Sequence, residues 1–214
     1  MALTKELSTT YNQFLETAPE EVSSIITDAV GNFKNIYDPA RAIQPGGAFP
    51  QFQLSGATGN KVSLNDLLAK GPILVSFYRG EWCPFCNLEL RALQAHLDDF
   101  GKRGVTLVAI SPELPDQSLS TSEKLSLKFP VLSDVNNELA KQLGILFAQP
   151  EPMRTVFGKF GVDWNKRYGN DQLEVPVPAT FLVDKTGTVR NSFVNPEYQH
   201  RLDPETALQW VDQL

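Results

Sequence analysis

ILVSFYRGEWCPFCNLEL, residues 73–90, decides the reading of this chain. Ile73 to Tyr78 form a run, apolar except for Ser76 and with β-branched residues, which predicts a buried strand. Both cysteines of the 214-residue chain, Cys83 and Cys86, follow at once. Pro84 suits the first turn of a helix, where its missing N–H costs nothing. Leu90, Leu93, Leu97 and Phe100 then fall on one helical face, and Gly101 and Gly104 end that helix. The dithiol therefore sits where a central strand turns into a helix.

That position has chemical consequences. The unpaired N–H groups and dipole at a helix N-terminus favour negative charge, so Cys83 is expected to ionise more readily than a free thiol. Arg79 is placed to add positive charge. Cys86 lies one turn along, at about 5–6 Å between Cβ atoms, and a disulfide needs about 3.5–4.5 Å. A slight adjustment lets the pair cycle between dithiol and disulfide, with Cys83 attacking and Cys86 resolving the adduct. Zinc needs four ligands in a structural site. His96 and His200 are the only histidines, and neither shows finger spacing, so no metal is expected.

Outward from this centre the chain alternates. FQL (52–54) and KVS (61–63) predict a short hairpin, and Ser63 with Asp66 predicts a capping box over a brief helix. VTLVAI (105–110) and FPVLSD (129–134) predict further strands, with a short helix between them and NELAKQL (137–143) as the helix that follows. Residues 145–177 carry Phe147, Phe157, Phe160, Trp164 and Tyr168 in a long connection, expected to be a lid or binding loop. PATFLVD (178–184) and TVRNSFV (188–194) predict a hairpin, and Asp203-Pro204 begins a last helix. Val177-Pro178 is expected as a cis peptide; the other reading is an ordinary trans proline at a strand's start. Residues 1–44 predict a helical arm whose apolar positions include Leu7, Tyr11, Phe14 and Leu15, then Val22, Ile26, Ala29 and Phe33. Its apolar face is read as packing on the chain's own core or as the contact of a homodimer.

Composition limits the function. With 25 acidic and 19 basic residues the net charge is -6, and no Lys/Arg cluster suits nucleic acid. The N-terminus lacks the apolar core of a signal peptide, and no run is long enough to span a membrane. A cytoplasmic, reducing location is expected, where a thiol pair is more often catalytic than structural.

The ordered segments 62–86, AISPE (109–113), FPVLSDVNNELAKQLGI (129–145) and VPATFLVDKTGTV (177–189) resemble the thioredoxin-fold superfamily. Within it they resemble the peroxiredoxin family, also called the alkyl hydroperoxide reductase / thiol-specific antioxidant family, over about residues 45–205. The resemblance implies an α/β, thioredoxin-like fold over 45–214, with a central mixed sheet flanked by helices and an added N-terminal β-hairpin; the helical arm 1–44, read from its periodicity, precedes it. It implies that Cys83 is the leading nucleophile and that Pro178 matches the cis-proline of thioredoxin-like relatives. The chain departs from the pattern at the activating positions. Where typical members carry a proline and a hydroxyl residue ahead of the nucleophile it has Ser76 and Gly80, and the later arginine falls near Pro178 or Ala179. Arg79 is therefore expected to supply the charge, with Tyr78 and Trp82 shaping the pocket.

Three functions follow. The first is a thiol peroxidase reducing hydrogen peroxide or organic hydroperoxides without metal, haem or flavin, recycled by a thioredoxin- or glutathione-type donor. The second is a thioredoxin-like thiol-disulfide reductase. The third is a redox sensor acting on a partner through the arm.

Overall fold

Ile73 to Phe77 are all buried, and the computed structural model, which describes residues 2–214, puts this strand inside the sheet. The chain begins with two helices, α1 (Ala2–Thr17) and α2 (Glu20–Ile36). The hairpin β1 (Gln53–Gly56) and β2 (Lys61–Ser63) leads into α3 (Leu64–Leu68), β3 (Ile73–Phe77), α4 (Pro84–Ala95) and α5 (Leu97–Lys102). Then come β4 (Thr106–Ser111), α6 (Pro115–Lys124), β5 (Val131–Ser133) and α7 (Glu138–Gln142). The segment that follows holds β6 (Leu146–Ala148), α8 (Pro152–Lys159), α9 (Trp164–Tyr168) and β7 (Glu174–Pro176). The hairpin β8 (Ala179–Val183) and β9 (Val189–Val194) and the helix α10 (Pro204–Val211) complete the chain.

The main sheet runs in the order β2-β1-β5-β4-β3-β8-β9. β3 pairs parallel with β4 and antiparallel with β8, and β4 pairs parallel with β5. This is the mixed sheet expected, with helices on both faces. Alternation along β3 divides the core: Leu74 and, just past the strand, Tyr78 face α4 and the cysteines, while Ile73, Val75 and Phe77 face α3 and α7. The capping box forms as expected, with Ser63 and Asp66 satisfying each other's backbone N–H.

The arm packs on its own chain. Leu3 and Leu7 of α1 are buried in the cluster that contains α4. Val22, Ile26 and Ala29 of α2 are buried against Met153, Val156 and Phe157 of α8. Leu15 is exposed. The arm's exit is pinned to the domain, because Ile43 N–H donates to Leu143 O and Tyr37 O–H donates to Gly144 O. Gly144 sits at φ +71, and a Cβ there would strike the Arg41 carbonyl. Only glycine lets α7 end this close to the arm.

Three expectations need correction. The single helical face through Leu90 and Phe100 is two helices, broken at His96, which leaves helical geometry at φ -102, ψ 9. The break keeps Leu93 and Phe100 buried while re-aiming the second helix under α10. Residues 145–177 are not one open loop but a two-stranded antiparallel sheet and two helices. Phe147 stacks on Phe33 of α2, and Phe157, Trp164 and Tyr168 share a buried cluster with Val22, Ile26 and Ala29 of α2, a partner that local periodicity does not reveal, while Phe160 is exposed. Val177-Pro178 is trans, since the described residues contain no cis peptide. The Val177 N–H donates to Ile145 O, prolonging the β6–β7 pairing, so the chain enters β8 already extended, with Pro178 just ahead of its first residue. No helix among the described residues is long and apolar enough to cross a membrane.

Candidate active site at the start of α4

Cys83 is the N-cap of α4, with extended backbone and Pro84 at the helix's first position. Its sulfur accepts the backbone N–H of Cys86 at 3.3 Å, as an N-cap oxygen would. The Cys86 thiol donates to the same sulfur at 2.6 Å, and both cysteines are free. Arg79 donates through Nη2 to Cys83 Sγ at 3.2 Å. Three donors thus converge on one sulfur that is 0% exposed.

A second guanidinium, not foreseen from the sequence, approaches from the segment between β9 and α10. Arg201 Nη2 lies 3.4 Å from Cys86 Sγ. Its Nε donates to Glu89 Oε2 at 2.7 Å, and its Nη1 donates to the carbonyls of Tyr198 and His200. The Arg201 and Glu89 side chains are 1% and 2% exposed, so this is a fully buried ion pair. Glu89 lies one turn beyond Cys86 on α4, so Cys83, Cys86 and Glu89 follow one another along the same helical stripe.

The electrostatics follow from this layout. Burial by itself would raise the Cys83 thiol. The Cys86 hydrogen bond and the charges of Arg79 and Arg201 outweigh it and hold Cys83 well below the ordinary thiol range. Burial, together with the hydrogen bond to Cys83 and its charge, pushes Cys86 well above that range. The layout therefore favours the thiolate on Cys83 and the protonated thiol on Cys86. Burial works against the charge on both arginines, but the sulfurs hold Arg79 protonated, as Glu89 and the sulfurs do for Arg201. Burial raises Glu89 to about 7, against the pull of Arg201.

The turn between β3 and α4 is held from outside. The Arg79 guanidinium lies between two aromatic rings, 5.0 Å from the centroid of Trp82 and 4.1 Å from that of Tyr198. Trp82 Nε1–H donates to Tyr168 Oη, and the Tyr168 O–H donates in turn to Arg79 O. The Glu81 N–H donates to buried Glu113, whose other oxygen accepts from Arg167 at 2.8 Å. Gly80 has φ +156, and a Cβ there would lie 2.7 Å from Trp82 Nε1 and 2.8 Å from Glu113 Oε1. This crowding explains why no hydroxyl side chain stands at position 80.

Trp82, Arg79 and Pro178, together with Pro84, Phe85 and Tyr198, line a cavity of about 410 Å³. Tyr78 does not line it. Its position on the pleat sends the ring into the core beneath the cysteines, where it is fully buried. The expectation that Tyr78 shapes the pocket is therefore corrected to a place under the dithiol. Ser76 lies on the same face of β3 and is likewise buried. His96 and His200 lie beside Asp99 and Glu197, away from the sulfurs. What the sequence missed is Arg201. The only local signal was one arginine two residues before the N-cap of α10, which has no fixed spacing from Cys83.

Comparison with known proteins bears on the family and the fold. A Mycobacterium tuberculosis protein named as a peroxiredoxin is 29% identical over 147 residues, covering 69% of this chain and 82% of that one. Peroxiredoxin Bcp of Escherichia coli is 30% identical over 103 residues, 48% of this chain and 65% of its own. The thiol-disulfide oxidoreductase ResA of Bacillus cereus is 23% identical over 182 residues, 84% of this chain and 87% of its own. Among solved structures, peroxidoxin BcpB from Mycobacterium tuberculosis superposes with a TM-score of 0.63 at 20% identity, covering 80% of this chain and 98% of that one. The fold is therefore that of the thioredoxin-like peroxiredoxins. The sequence pattern of the AhpC/TSA family matches residues 45–192, more than half of the chain, and the chain belongs to that family.

Proposed function

We propose that this protein is a thiol peroxidase working through Cys83 and Cys86. The observation that carries the reading is the Cys83 sulfur, held as an anion by a helix N-terminus, Arg79 and Arg201. The thiolate attacks one oxygen of the peroxide; an S–O bond forms and the O–O bond breaks. The sulfur loses two electrons to become a sulfenic acid, and the leaving oxygen departs as water or an alcohol after gaining a proton. Cys86 then attacks the Cys83 sulfur. An S–S bond forms, the S–O bond breaks, and hydroxide leaves with the Cys86 proton as water. A thioredoxin- or glutathione-type donor returns two electrons to the disulfide.

Cys83 exposes none of its surface, so a peroxide reaches it only when the Arg79, Trp82 and Pro84 side of the cavity gives way. Trp82 and Pro178 shape the approach, and Tyr78 supports the dithiol from below. The reading divides the chain into an arm, 1–44, and a catalytic domain, 45–214, which the family match beginning at residue 45 supports. It places the reaction in the cytoplasm, where reducing donors are supplied.

The second reading, a thiol-disulfide reductase, draws support from the contact between the two sulfurs and the similarity to ResA. One experiment separates them. Reduced protein is mixed with peroxide while the Cys83 state is followed by mass spectrometry, and insulin disulfide reduction is measured in parallel. Peroxide consumption, a Cys83–Cys86 disulfide in the native chain and a trapped sulfenic acid in Cys86→Ser support the peroxidase. Insulin reduction with an unreactive peroxide overturns it.

A further inference from the structure

The cavity beside Cys83 is built largely by parts of the chain outside the core sheet. Phe14 of α1 and Ile26, Ala29, Val30 and Phe33 of α2 form one side. Met153, Phe157 and Phe160, from α8 and its end, form the other. Arg79 is the one charged residue in the lining among the described residues, and Gln149 the one side-chain amide. Buried Arg79 Nε has no hydrogen-bond partner, while Nη2 of the same side chain touches Cys83 Sγ. The α1 and α2 residues lie ahead of residue 45, where the family match begins.

Resting on the peroxidase reading, we propose that the helical arm is a specificity element: together with α8 it selects hydroperoxides carried on a bulky apolar hydrocarbon group over hydrogen peroxide. Three observations converge on it. The first is size. About 410 Å³ falls in the range of small-molecule sites, and a single water takes about 30 Å³ of liquid, so hydrogen peroxide would leave most of the cavity empty. The second is polarity. Apolar walls return no hydrogen bonds to a small, strongly hydrated molecule, whereas each buried methylene of a hydrocarbon group favours binding by roughly fourfold. The third is the polar end. Arg79 is the charged residue of the lining, and its Nη2 donates to Cys83 Sγ, so a hydroperoxide's polar end is drawn to that side, nearest the sulfur, while its carbon group lies between α2 and α8. An aromatic group and a long acyl chain share this chemistry.

The test uses the full chain. kcat/KM is measured for hydrogen peroxide, cumene hydroperoxide and a linoleic acid hydroperoxide, in the native protein and in Ala29→Trp and Val30→Phe, each of which fills the arm side of the cavity. Separately, binding of cumyl alcohol to Cys83→Ser is followed by calorimetry. Expected are a cumene-to-hydrogen-peroxide ratio of at least about tenfold, its fall by about tenfold or more in at least one folded variant, and saturable binding of the alcohol. A faster reaction with the linoleic hydroperoxide than with cumene hydroperoxide assigns the cavity to acyl chains, and the reverse assigns it to compact groups; either supports the proposal. A ratio near one in the native chain, equal loss on both substrates in folded variants, or no alcohol binding overturns it and leaves the peroxidase reading intact. No consumption of any peroxide overturns the function on which the inference rests.

Discussion

Replacing Arg201 by methionine removes the guanidinium that pairs with Glu89 and touches Cys86, and its effect is predicted to depend on pH. Arg201 Nε stands 2.7 Å from Glu89 Oε2 with both side chains almost wholly buried. Removing one partner of such a pair costs about 3–5 kcal/mol, because the remaining charge is left without compensation. Glu89 escapes that penalty by protonating, and burial already raises it to about 7 from the model-compound value of 4.5. At pH 5 the folded carboxyl is therefore neutral with or without Arg201. What remains lost there are the hydrogen bonds to the Tyr198 and His200 carbonyls, about 1–3 kcal/mol. The sign follows from linkage. A carboxyl raised on folding contributes stability that is full below its unfolded value and lost as pH rises through its folded value. In the native chain that loss ends near pH 7, the value to which Glu89 is raised. Without Arg201 the loss continues above it, so the gap between variant and native chain widens from pH 5 to pH 8. Linkage limits the widening to about 1.4 kcal/mol for the one pH unit above Glu89's value, so the gap reaches about 2.4–4.4 kcal/mol at pH 8, and at about 2–4 °C per kcal/mol for a chain of this size Tm falls there by roughly 5–18 °C. The assay is urea and thermal unfolding of Arg201→Met at both pH values. Adding Glu89→Leu should recover most of the loss, since an apolar pair in place of a buried ion pair is often neutral or better. A gap that is equal at pH 5 and pH 8, or below about 1 kcal/mol at pH 8, would refute the reasoning.

Other consequences of the same layout are open to measurement. Arg79→Gln removes a charge-assisted hydrogen bond to Cys83, about 1.5–3 kcal/mol, so alkylation of Cys83 by iodoacetamide at pH 6 should slow by about tenfold or more. Arg79→Lys should recover little of that rate, because an ammonium cannot lie flat between Trp82 and Tyr198. Gly80→Ala should destabilise the chain by about 1–3 kcal/mol in urea unfolding, since the new Cβ meets Trp82, Glu113 and Tyr168. Burial, opposed by Arg167, raises Glu113 to about 7, so the folded chain binds more protons than the unfolded one between about pH 4.5 and 7, and stability falls as pH rises across that window. Glu113→Gln should flatten that fall by up to about 1.4 kcal/mol per pH unit, read from unfolding curves at pH 5, 6 and 7.

The division of labour in the site explains its two cysteines. Sharing one helical stripe, they would titrate alike if their surroundings were alike. The N-cap position gives Cys83 the backbone N–H of Cys86, and Arg79 adds its charge, whereas Cys86 lies inside the first turn beside an anion. In the proposed cycle the helix prepares Cys83 as the nucleophile, and Cys86 keeps its proton until the first step is over.

Local signals carried much of this protein. Period-two and buried runs marked β3, β4 and β8, the capping box marked α3, and two cysteines after a strand, with Pro84 between them, placed both thiols at a helix start. Each depends on residues within one turn or one strand of each other, so each is written in consecutive sequence. Arg201, 115 residues from Cys86, reaches the sulfurs only because the segment after β9 folds back over α4. The structure of residues 145–177 was hidden for the same reason: Met153 and Phe157 are buried by α2, an element more than a hundred residues earlier. Whether Tyr78 met the pocket or the core depended on which face of the pleat α4 covered. The sequence alone determined the chemistry, two thiols at the mouth of a helix. The tertiary structure decided their electrostatics and access, because charge and burial act through space, and chain folding sets which distant groups share that space.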